Sequence, residues 1–141
     1  MEQRIIIIGG GPGGYVAAIR AATLGGKVTL IEKEHLGGTC LNWGCIPSKI
    51  MKNSADVFLK LSKANELGIE ISGTITANMT AMMERKNKII ETQRKAIAGL
   101  LKTKKIDVEM GRATIVAPGR VRVEKQGQDE ALFEYDKLII A

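Results

Sequence analysis

Two cysteines, Cys40 and Cys45, enclose the short stretch Leu41-Asn42-Trp43-Gly44. A loop this short can close into a disulfide, and a disulfide that opens and closes carries two electrons. Upstream lies Gly9-Gly10-Gly11-Pro12-Gly13-Gly14, which fits G-x-G-x-x-G through Gly9, Gly11 and Gly14. In that pattern the first glycine permits a tight turn. The second lets backbone approach a pyrophosphate, and the third lets a helix pack closely on its strand. The combination points to a redox-active disulfide set beside a nucleotide cofactor.

Three chemistries compete for the cysteine pair. A structural disulfide is unusual in a cytosolic domain. For zinc, the only further soft ligand is His35, one short of a Cys₂His₂ set, so no metal is expected. Redox catalysis is favoured. Cys45 stands at the expected start of a helix, where the dipole stabilises a thiolate and lowers its pKa. Lys49 follows one helical turn later on the same face and adds positive charge there.

The elements around these residues must deliver them to one place. Arg4–Ile8 contains a continuous β-branched run, suited to a strand buried on both faces of a parallel sheet. A helix is expected from about Gly13 to Leu24, ended by Gly25-Gly26. Val28–Glu32 is the second strand of a βαβ unit, whose crossover should be right-handed. A carboxylate at its end, Glu32, can accept hydrogen bonds from ribose hydroxyls. The helix N-terminus offers free N–H groups and a positive dipole end to the phosphates.

His35–Gly44 is expected as a glycine-rich loop. A helix from Cys45 to about Glu66 follows, with Pro47 in its first turn and Ile50, Met51, Val57, Phe58 and Leu61 available for burial. Asn78 is an N-cap candidate for a long helix from Met79 to about Thr103. The stripe Met79, Met82, Met83, Ile89, Ile90, Ile97, Leu100 and Leu101 is assigned to packing or an intersubunit contact. Ile106–Met110 is a strand. Arg112–Val116, Arg120–Lys125 and Ala131–Tyr135, broken at Pro118-Gly119 and Gln126–Asp129, suggest a small antiparallel meander. Tyr135–Ala141 runs into an apolar strand. The fold class is α/β, a Rossmann-like domain with a parallel sheet, a long helical insertion and the meander.

With 141 residues, the chain is one domain's worth of sequence, and its aliphatic residues must fill the core because only 4% are aromatic. The formal net charge of +6 lies largely in Arg85–Lys105, taken as the solvated face of the long helix. No aromatic residues interleave those charges, so nucleic acid is not an expected partner. No run of eighteen apolar residues is present, so no membrane span is expected. The Ile5–Ile8 run enters the glycine motif without a cleavage pattern, which argues against a signal peptide and for a cytoplasmic location.

The Gly37–Lys49 segment resembles the active-site segment of the flavin-dependent pyridine nucleotide–disulfide oxidoreductases. The resemblance covers the whole chain and is closest to the dihydrolipoamide dehydrogenases. Leu41, Ile46 and Ser48-Lys49 look like that branch, whereas glutathione and mercuric reductases typically have Val where Leu41 and Ile46 stand. Trp43 departs from the family, which more often has Val there.

The resemblance implies FAD as the bound cofactor, with NAD held by a domain that this chain lacks. It makes Cys40 the interchange thiol and Cys45 the charge-transfer thiol against the flavin, with Lys49 near the flavin ring. Pro12 and Gly13 belong with the phosphate glycines. Glu32, Lys33, Gly37, Gly38, Thr39 and Cys40 line the adenosine and pyrophosphate, and the backbone of Ala113 meets the adenine end. In the family, dihydrolipoamide reduces the disulfide, the electrons pass through FAD, and NAD⁺ receives them. The acid–base His is contributed by the other subunit near its C-terminus; His35 is expected to be a loop histidine.

Residues 1–141 therefore resemble the N-terminal part of the FAD domain, without the NAD-binding and dimer-interface domains, and are not expected to turn over alone. The implied partners are a lipoyl domain of a 2-oxoacid dehydrogenase or glycine cleavage complex, and a second subunit in the full-length form. The rivals are a sister reductase acting on glutathione or mercuric ion, and a non-catalytic FAD-binding module.

Overall fold

The strand β1 (Arg4–Ile8) lies inside a parallel sheet, paired on one side with β2 (Lys27–Glu32) and on the other with β7 (Lys137–Ile140). The computed structural model describes residues 3–125, 127 and 130–141. β3 (Asp107–Met110) adds to the outer side of β2, so the sheet runs β3-β2-β1-β7. The helix α1 (Pro12–Thr23) connects β1 to β2.

The continuous apolar runs are explained by layers on both sides of this sheet. On one face, Ile7, Val28 and Leu30 pack against Ala18 of α1 and against Leu101 of the long helix α4 (Met79–Thr103). On the other, Ile6 and Ile31 pack against Val121 and Val123 of β5 (Arg120–Glu124). That strand is the centre of the meander, between β4 (Arg112–Ala117) and β6 (Ala131–Glu134). Adjacent residues of one strand face opposite layers, so the positions of β1 and β2 near the sheet centre are apolar except Thr29, which is only half-buried. Asp136 accepts a hydrogen bond from the Arg4 N–H at 2.7 Å and pairs with its guanidinium at 3.3 Å. These contacts hold the Asp136 carboxyl below the usual carboxylate range and align the start of β7 with β1.

The α/β fold class and the meander match the expectation. Three local departures have physical causes. The glycine-rich stretch before Cys45 contains a five-residue helix, α2 (Gly38–Asn42), because Gly37 adopts a φ of 94° that turns the chain into it. The next helix, α3 (Cys45–Ser62), ends before Glu66; a 3₁₀ turn follows over Ala64–Leu67 and stops at Gly68, whose φ is 72°. None of the residues of α3 is fully buried: Ile46, Ile50, Met51 and Phe58 are half-buried against its neighbours, while Val57, Leu59 and Leu61 stay exposed. On α4 the buried residues are Ile90 and Leu101, while Met79 and Met83 are exposed. Asn78 caps α4 as expected, its side-chain oxygen accepting from the Ala81 N–H at 3.0 Å. The Gln126–Asp129 break lies outside the described residues except for Gly127.

Candidate active site

The site forms where β1 and β2 end. Gly9, with φ 105°, turns the chain out of β1 and into α1, and its N–H donates to the Ile31 carbonyl at 2.8 Å. A Cβ at Gly14 would stand 1.8 Å from the Gly9 carbonyl oxygen, so only glycine lets α1 start this close to the strand. Gly11 is different: a Cβ there would meet no protein atom nearer than 3.8 Å. The space in front of it is open, which is what a pyrophosphate approaching the backbone requires. No side chain caps α1 and no acid sits in its first turn. Its N-terminal N–H groups and positive dipole end therefore remain available to an anion. These features fit a dinucleotide.

Glu32 is 8% exposed and has two backbone partners: the Gly10 N–H donates to Oε2 at 2.7 Å and the Glu34 N–H donates to Oε1 at 2.8 Å. The carboxylate thus ties the glycine turn to the end of β2. A carboxylate offers about four acceptor positions, so two remain for ribose hydroxyls.

A cavity of about 630 Å³ opens over this turn, within the usual range for small-molecule sites. Of the residues expected from the sequence, Gly9, Gly11, Pro12, Glu32 and Lys33 line it, as do Gly38, Thr39, Cys40 and Ala113. Gly13, Gly14 and Gly37 do not line it; Gly37 borders a smaller cavity beside Cys40 and Leu41. Cys45 and Lys49 are exposed on α3 and do not line it. Sequence reasoning missed Gly111, Arg112 and Ala141, which also face the cavity. His35 and Trp43 stand in its wall with ring centroids 5.9 Å apart, so the loop histidine is part of the site's rim. Among the described residues, no group of three or more His, Cys, Asp or Glu side chains is placed to hold a metal.

Both cysteines are free thiols. The Cys40 thiol is raised above its ordinary value, chiefly by donating a hydrogen bond to Cys45; desolvation and the nearby Cys45 sulfur act in the same direction. The Cys45 N–H and the charge of Lys49 oppose this less strongly. A raised thiol contributes stability at pH values below its unfolded pKa, and that contribution is lost as pH rises through the folded value. We therefore expect Cys40 of the reduced, folded chain to be alkylated by iodoacetamide more slowly than in the urea-unfolded chain at about pH 8.5, the ordinary thiol value. Peptide mapping by mass spectrometry reads the ratio. Cys45→Ala should remove most of the difference; an unchanged lag would contradict the hydrogen bond as its cause.

One buried contact behind the cysteines had no sequence signal. Asn42, 6% exposed, donates through its amide to the carbonyls of Gly38 at 2.7 Å and Leu36 at 3.2 Å. Its oxygen accepts from Nε of Arg94 on α4. Arg94 was counted with the solvated face of that helix; instead it turns inward and is half-buried.

The fold and the cavity at the strand ends define an α/β nucleotide-binding domain that carries a close cysteine pair. The family described as pyridine nucleotide-disulphide oxidoreductase matches residues 3–141, and the chain belongs to it. The dihydrolipoyl dehydrogenase of Bacillus subtilis is 41% identical over 141 residues, which is 100% of this chain and 30% of that protein. The dihydrolipoyl dehydrogenase of Acholeplasma laidlawii is 44% identical over 122 residues, 86% of this chain and 36% of its own. Among solved structures, LpdA from Mycobacterium tuberculosis superposes with a TM-score of 0.88 at 27% identity, covering 98% of this chain and 31% of that one. The Cu(II) complex of the HOCl-induced flavoprotein disulfide reductase RclA from Escherichia coli gives 0.81 at 26% identity, covering 100% and 28%. The chain thus spans 30% and 36% of the length of these two curated relatives. Membership implies a flavin and a nicotinamide for the family's chemistry. No helix among the described residues is long and apolar enough to cross a membrane.

Proposed function

We propose that residues 1–141 are the N-terminal part of the FAD-binding domain of a dihydrolipoamide dehydrogenase, with NAD bound elsewhere in the complete enzyme. The observation that carries this reading is that one cavity joins the glycine turn, Glu32 and Cys40. Gly9, Gly11, Pro12 and Gly38 would hold the pyrophosphate, Glu32 and Lys33 the ribose side, and Ala113 the adenine end. FAD bound there supplies two-electron transfer between the dithiol and the nicotinamide.

The chain's own residues perform the thiol chemistry. A thiolate of dihydrolipoamide attacks Cys40 Sγ of the disulfide; the S–S bond breaks and Cys45 leaves as thiolate. The second substrate thiolate then attacks the lipoamide sulfur of the mixed disulfide; oxidised lipoamide is released, and Cys40 leaves as a thiolate that takes up one of the two protons lost by the substrate thiols. The raised Cys40 thiol agrees with this order of roles. The physiological substrate is then a lipoyl domain of a 2-oxoacid dehydrogenase or glycine cleavage complex, and the complete enzyme works as a dimer.

The visible spectrum of the chain mixed with FAD, before and after a mild dithiol reductant, tests the reading. A bound-flavin spectrum that gains a long-wavelength shoulder on reduction is expected. Bound flavin with no change on reduction would overturn the redox assignment and favour a non-catalytic module. Assays of the complete enzyme with dihydrolipoamide, glutathione disulfide and mercuric ion separate this reading from its sister reductases. This chain alone is expected to give no sustained NADH production.

A further inference from the structure

The segment between the cysteines is held by a residue 52 positions away in the chain. We infer that Arg94 is a positioning residue for the dithiol: its bond to Asn42 locks the Cys40–Cys45 turn closed and biases the pair toward the disulfide. The inference rests on the redox reading of these cysteines.

Asn42 is the last residue of α2, between the two thiols. Its amide binds Leu36 O and Gly38 O, so it fixes the turn that leads into Cys40. Its oxygen is oriented by Arg94, and a planar guanidinium N–H holds an acceptor more directionally than a flexible ammonium does. Gln93 and Ile97, on the same stretch of α4, border a small cavity together with Cys40, Leu41 and Ile46. The middle of α4 is thus the wall against which the redox turn is set. Helix α3 packs on α2 and α4 with Ile46 and Ile50 half-buried, so the same wall also steadies the Cys45 side of the turn. Disulfide formation depends on keeping two sulfurs within bonding reach. A turn already held at Asn42 loses less conformational freedom when the bond closes. Losing the clamp should therefore favour the dithiol.

Equilibration of the 141-residue chain with glutathione redox buffers tests this. In that exchange Cys40 and Cys45 lose two protons and two electrons as their S–S bond forms, and glutathione disulfide is reduced to two glutathione thiols. Alkylation trapping and intact mass give the oxidised fraction. Arg94→Met keeps the aliphatic stem and removes the donor. It should lower the equilibrium constant for oxidation about tenfold, equivalent to a potential about 30 mV less negative, with far-ultraviolet circular dichroism unchanged. Should that variant not fold, Arg94→Leu, whose side chain has no hydrogen-bond donor, carries the same measurement with the same expected sign. A variant that folds and matches the parent's equilibrium overturns the clamp. A drop in thermal midpoint without a change in that equilibrium also overturns it, because a merely structural bond behaves that way. Failure of the parent chain to form the Cys40–Cys45 disulfide at any buffer ratio would instead overturn the redox reading itself.

Discussion

Cys45→Ser should abolish the long-wavelength absorbance of the reduced, FAD-bound protein, while Cys40→Ser should keep it. The effect is all-or-none because the band needs a thiolate against the flavin, and each serine leaves a single thiol. Interaction with Cys45 raises the Cys40 thiol, which favours its protonated form. Cys45 begins the 18-residue helix α3, whose N-terminus has no side-chain cap. The positive end of that helix therefore faces the sulfur that must carry charge. Absorbance spectra of both variants, taken with FAD bound and after anaerobic reduction, decide the matter. The reverse pattern would exchange the roles of the two cysteines. Absence of the band in both would mean that neither thiolate meets the flavin.

Gly14→Ala and Gly11→Ala should fail in different ways. At Gly14 the new Cβ would be driven into the Gly9 carbonyl oxygen, 1.8 Å away. Helix α1 must move off β1, and the loss should be about 3 kcal/mol, at the upper end for overpacking. At Gly11, φ is −71° and the nearest protein atom to a Cβ is 3.8 Å away. Stability there should change by no more than about 0.5 kcal/mol. The methyl group would instead occupy the space a pyrophosphate needs, and FAD affinity should fall about 100-fold, a loss of about 2.8 kcal/mol. Urea titration followed by FAD titration separates the two quantities. A Gly11→Ala protein that binds FAD as tightly as the parent would move the pyrophosphate away from this turn.

The sequence was most legible where structure depends on neighbours in the chain. The Ile5–Ile8 run declares a strand buried on both faces, and the sheet buries Ile6 and Ile7 on opposite sides. The glycine spacing foretells a turn whose steric demands are local, at Gly9 and Gly14. Asn78 declares the start of α4 through a bond to Ala81, three residues on. Cys40 and Cys45 announce themselves by proximity alone. Helix α2 escaped notice because glycine disfavours helix, and only the turn at Gly37 starts one there.

Tertiary structure decided what depends on distant parts of the chain. Arg94 sits among exposed basic residues and has no local mark of its role; only the packing of α4 behind the redox turn brings it to Asn42. The position of Glu32 suggested a ribose ligand, but its support of the Gly10 and Glu34 amides appears only when β2 ends beside the glycine turn. The apolar residues of α3 carry a helical stripe that promised burial; Ile50, Met51 and Phe58 are half-buried, while Val57 and Leu61 stay exposed. Periodicity records which face prefers to leave water, but burial requires a second surface, which a helix's own sequence does not encode.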